Sequence, residues 1–111
     1  MSELFTIFTD GTITIEQFPP VFDFNRDVAR MREIVGGDIE FVMVEFRGKR
    51  TCMIVNETGA IQQPPLPINE AATAIYHTYP ATRDGLTPEQ AWFKYPLIHG
   101  NVALLYEVEL N

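Results

Sequence analysis

Val35-Gly36-Gly37-Asp38-Ile39-Glu40-Phe41-Val42-Met43-Val44-Glu45-Phe46 is the stretch on which the fold turns, because a helix ends in it and a strand begins. Upstream of it, Phe24, Val28, Met31 and Val35 recur at helical spacing and form one apolar stripe. That spacing predicts a helix over residues 26–35, with Asn25 or Asp23 as its cap. Gly36-Gly37 supplies the positive-φ residue that closes many helices, and since the pair follows a helix it is no phosphate cradle. Downstream, Ile39, Phe41 and Met43 alternate with Glu40, Val42 and Val44, so both faces turn apolar toward the middle. A strand over 38–46, central in its sheet and covered on both sides, is expected. Arg47-Gly48-Lys49 then turns the chain into a second strand over 50–56.

Toward the N-terminus, residues 4–8 and 12–18 are rich in Thr, Ile and Phe and flank Asp10-Gly11. They predict a hairpin with a two-residue turn, ended by Pro19-Pro20. Toward the C-terminus, Asn56-Glu57-Thr58-Gly59 is a turn, and residues 62–67 carry too much proline for a helix and read as an extended loop. A helix over about 70–79 follows an Asn69 cap, with Ile68, Ala72, Ile75, Tyr76 and Tyr79 on one face. Pro80 is expected to close it, leaving 82–85 as a polar connector. Thr87-Pro88-Glu89-Gln90 is a capping box with proline at the first helical position, predicting a further short helix to Tyr95. Residues 102–110 alternate as a final strand, with Val102, Leu104, Tyr106 and Val108 on one face.

The whole is 111 residues, 46% hydrophobic and 21% charged, which fits one packed domain. The expected architecture is a single α+β domain over 1–111. It has a mostly antiparallel or mixed sheet of four to six strands with two or three helices packed on it, and no cofactor. Fifteen acidic against eight basic residues give a net charge of −7, which disfavours nonspecific nucleic-acid or anionic-membrane binding. Cys52 is the single cysteine, so no internal disulfide or cysteine zinc site exists; on its apolar strand it reads as a buried, quiet thiol. No apolar run is long enough to span a membrane, and the N-terminus lacks a basic-then-apolar leader pattern, so a soluble cytoplasmic protein is expected.

Several landmarks recur in order: Val35-Gly36-Gly37-Asp38-Ile39-Glu40, Val55-Asn56-Glu57-Thr58-Gly59, Leu66-Pro67-Ile68-Asn69, Ala72-Thr73-Ala74-Ile75-Tyr76, and Ile98-His99-Gly100-Asn101-Val102-Ala103-Leu104. In that order they resemble the bacterial, phage and plasmid family called domain of unknown function thirty-eight forty-six. The resemblance covers nearly the whole chain, with residues 78–96 longer than usual, as if a capped helix had been inserted. It implies a fold and a mobile-element setting, and it implies no catalytic residues.

Motifs for chemistry are sparse. His77 and His99 have no regular carboxylate spacing and make no metal signature, and Cys52 lacks a paired histidine. Asn56, Glu57 and Asn69 are the candidate ligand-binding residues. Tyr76, Tyr79, Trp92, Phe93 and Tyr95 have two readings. The first is that Trp92 and its neighbours clamp the added helix onto the sheet. The second makes Tyr79, Trp92, Phe93 and Tyr95 the candidate interface for a partner or a second copy, since such rings favour surfaces that are apolar at one end and wet at the other. The acids are dispersed among Arg26, Arg30, Arg32, Arg47, Lys49 and Arg50, unlike the dense acidic runs expected of a DNA mimic. The leading expectation is a non-enzymatic accessory protein of a phage, plasmid or integrated element, acting on a protein partner or by self-association. A small-molecule or nucleotide-binding module is the alternative, with a hydrolase or acidic DNA-mimic inhibitor third.

Overall fold

A computed structural model describes residues 1–110, apart from the side chains of Tyr79 and Thr82. In chain order the elements are β1 (Glu3–Ile7), β2 (Ile13–Gln17), β3 (Val21–Phe22), α1 (Phe24–Val35), β4 (Ile39–Phe46), β5 (Lys49–Asn56), α2 (Glu70–Asp84), α3 (Pro88–Lys94), β6 (Val102–Tyr106) and β7 (Glu109–Leu110). Five of them form an antiparallel sheet in the order β2-β1-β6-β5-β4, and β3 and β7 form a separate two-stranded parallel ribbon. Alternation along the strands splits the core into two layers. One face sends Leu4, Cys52, Ile54 and Leu105 against Met31 and Val35 of α1. The other sends Phe5, Met53, Val102 and Leu104 against Ala72 and its neighbours on α2. The chain is therefore an α+β domain with a helix on each face of the sheet, and α3 packs on α2.

Local chemistry accounts for the ends of the first helix. Asp23 caps α1 by accepting from Arg26 N, and Gly36 leaves the helix at φ 81° while its N–H reaches Arg32 O. Asp27 closes the cap from the other side, accepting from Asp23 N at 3.0 Å and pairing with the Arg26 guanidinium. Asp27 is consequently buried, whereas Phe24, placed on the apolar stripe by spacing, is exposed.

Six other expectations are corrected. The N-terminal turn has three residues, because Gly11 N donates to Phe8 O and only Gly11 takes a positive φ. The Arg47-Gly48 turn has two residues, both at positive φ. There the Arg47 guanidinium lies 5.0 to 5.5 Å from the ring centres of Phe5, Phe46 and Tyr106. β4 is an edge strand, so Phe41 and Met43, expected to be covered, are 42% and 46% exposed. Pro80 does not stop α2, which continues to Asp84 and ends at Gly85 with Leu86 N bonded to Ala81 O. The extra length expected from residue 78 thus begins inside α2, and the polar connector is largely its last turn. The final strand breaks at Glu107, φ 56°, and Val108 packs into the α1 layer, opposite Val102 and Leu104. The proline-rich loop turns and bends over 57–64 before Ile68 bridges His99.

Candidate functional site

Asn69 is committed to the fold. It is wholly buried, its Oδ1 accepts from Ala72 N at the start of α2, and its Nδ2 donates to Ile7 O and Gly100 O, all at 3.0 Å. It offers no polar atom to a ligand. Asn56 is also buried, with Nδ2 donating to Val35 O at the end of α1 and Oδ1 accepting from Thr58 N. Glu57 donates its backbone N–H to Asp38 O and leaves its carboxylate in solvent. Asn56 and Glu57 line a cleft of about 270 Å³ with Glu40, Val42, Tyr76 and His99, and Asn69 is not part of it.

The aromatic group divides. His77, which is not among the residues that spacing puts on the apolar face, is buried between the rings of Tyr76 and Tyr95 and donates Nε2–H to Pro96 O at 2.7 Å. The Tyr95 hydroxyl reaches Pro80 O and the Asp84 carboxylate, so Tyr95 joins α3 to α2. Hydrogen bonds from Arg83 and Tyr95 hold the Asp84 carboxyl down at about 2. Trp92 is half-buried, while Phe93 is 84% exposed and faces away from the core. The side chain of Tyr79 lies outside those described. Beside this joint, a cleft of about 560 Å³ runs between the β4–β5 hairpin and the helices, lined by Met43, Glu45, Arg50, Tyr76, Arg83 and Tyr95.

A third cleft, about 370 Å³, lies on the α1 side among Val21, Phe22, Phe24, Arg26, Phe41 and Leu110. All three clefts touch β4: the largest at Met43 and Glu45, the smallest at Glu40 and Val42, the third at Phe41. Reading β4 as a central strand concealed this. The signal available was Glu40 and Glu45 in an otherwise apolar run, charges that mark an edge.

Electrostatically, four of the six basic residues Arg26, Arg30, Arg32, Arg47, Lys49 and Arg50 are paired within the chain, among the described residues. Arg26 pairs with Asp27, Arg30 with Glu16, Arg32 with Asp38, and Lys49 with Glu107. Cys52 is 3% exposed, and burial pushes its thiol up to about 11, leaving little nucleophilic thiolate at neutral pH. Among the described residues no group of three His, Cys, Asp or Glu side chains could hold a metal ion, and no helix is long and apolar enough to cross a membrane.

Residues 11–109 match the family model described as Domain of unknown function (DUF3846). The chain belongs to this family. The DUF3846 match begins at Gly11 and so excludes β1, although β1 lies inside the sheet between β2 and β6. No curated protein and no solved structure matches the chain.

Proposed function

We propose that this DUF3846 chain is a non-enzymatic accessory protein of a phage, plasmid or integrated element, acting in the cytoplasm through protein contact. The observation that supports the reading is the open edge of β4, where Phe41 and Met43 are exposed and Phe41 shares a cleft with Phe24 and Leu110. Apolar side chains grouped beside unpaired backbone are a contact surface in need of a cover. A photo-crosslinking amino acid placed at Met43, with Thr14 on β2 as control, tests it in the native host. Covalent capture of one defined protein at position 43 and not at 14 is the expected result; equal capture at both, or none, overturns it.

The small-molecule alternative draws on the 560 Å³ cleft, whose volume is in the range of ligand sites and whose lining combines Arg50 with two tyrosines. Nucleoside mono- and triphosphates titrated by calorimetry would show it as saturable heat that Arg50→Ala removes.

A further inference from the structure

The identity of the partner segment can be read from β4, an inference that rests on the protein-contact reading above. Phe46 and Lys49 flank the two-residue turn and pair by hydrogen bonds; the register repeats that pattern at Val44 with Thr51, Val42 with Met53, and Glu40 with Val55. The N–H and C=O groups of Ile39, Phe41, Met43 and Glu45 therefore point out of the sheet. None of them has a backbone partner among the described residues. The side chains of these four residues share the α1 face, where Phe41 meets Phe22 edge-on and borders the 370 Å³ groove. On the opposite face, Glu40 and Val42 border the 270 Å³ cleft with Glu57. Neither Glu40 nor Glu57 takes part in an ion pair among the described residues.

A row of unused donors and acceptors, with an apolar groove on one face and an acidic cleft on the other, is the arrangement that recognises an added strand. Main-chain bonds hold such a strand, and alternate side chains read its sequence. We propose that β4 takes up an extended segment of a partner protein as a sixth strand, its apolar residues alternating with Lys or Arg. The apolar positions lie on Phe41 and Met43, and a basic position lies toward Glu40 and Glu57. Charge selects this occupant over a second copy of the chain. A copy would bring its own net −7 and its own glutamates to the edge, whereas a basic strand neutralises them.

The test is a titration of the full-length, isotope-labelled protein with three synthetic decapeptides. One alternates Val and Lys, one alternates Val and Glu, and the third repeats the Val-Lys pattern with a central Pro. The Val-Lys peptide should bind at least tenfold tighter than the others and slow amide exchange at Ile39, Phe41, Met43 and Glu45. Combined Glu40→Lys and Glu57→Lys should erase the preference for Lys over Glu, and Met43→Lys should weaken binding at least tenfold. All three positions are exposed, and unchanged circular dichroism would confirm that the variants fold. Equal affinity for the acidic peptide, protection confined to β2, or no binding by any peptide overturns the proposal. If peptides fail while crosslinking at Met43 still captures one protein, the strand mode falls and the contact reading stands; if both fail, both fall.

Discussion

At Gly36 the chain leaves α1 at φ 81°, and a Cβ built there would meet nothing within 4 Å. The whole penalty of a side chain at this position is backbone strain. Gly36→Val should therefore lower stability by about 1 kcal/mol or somewhat more, read from denaturant midpoints at unchanged slope. Gly37 works differently: its Cβ would sit 2.9 Å from Asn56 Nδ2 and push on the hydrogen bond to Val35 O. The first role was legible in the Gly-Gly pair after an apolar stripe. The second was not, since it depends on β5 arriving under the end of α1. Asn69→Ala removes a helix cap and strands two buried carbonyls, so a loss of about 2–4 kcal/mol is expected by the same measurement. Sequence showed the cap and could not show the two carbonyls, which come from β1 and the approach to β6. The Cys52 thiol ionises near 9 when free and about 11 when folded. Between those values the unfolded chain has lost a proton that the folded chain keeps. Stability should therefore decline as pH rises from about 9 toward 11, and this part of the decline should vanish in Cys52→Ala.

Helix α2 outlasts its proline because downstream residues hold its second half. A proline there removes one i→i−4 bond and would normally end the helix. His77 bonds Pro96 O, and Tyr95 bonds Pro80 O and Asp84, fastening the last turns of α2 to α3. Local rules located both helix starts and missed this end, since the fastening residues lie more than ten positions further on. The same joint has a pH signature. The Asp84 carboxyl is held at about 2, against 3.8 unperturbed, so its contribution is complete above about 4 and is lost as pH falls toward 2. Trp92 fluorescence followed from pH 5 to 2 should report loosening of α3 before the sheet unfolds. Asp84→Asn should flatten that early change.

At the scale of the molecule, alternation and turns gave strand positions, but pairing order was beyond them. Every neighbour within the sheet was consistent with Ile39 to Val44 lying in the middle, and the observed order puts them at the rim. β6 takes the central place instead, with Val102, Ala103, Leu104 and Leu105 buried and serving both core layers. A chain ending at Gly100 should accordingly lose its cooperative thermal transition, a result readable by calorimetry. Retention of a sharp transition would show that β1 and β5 can meet without β6.

That inserted strand also sets a timetable for synthesis. The β1–β2 and β4–β5 hairpins are each finished by Asn56, yet they share no neighbour until residues 102–106 emerge. At about 5–20 residues per second, the stretch between Asn56 and Val102 takes several seconds to follow, and until then the strand that joins the two hairpins is missing. During that interval the outer edge of β4 is made before the strand that joins its hairpin to the other one. Codon choice across residues 57–101 therefore sets how long that edge waits for its sheet.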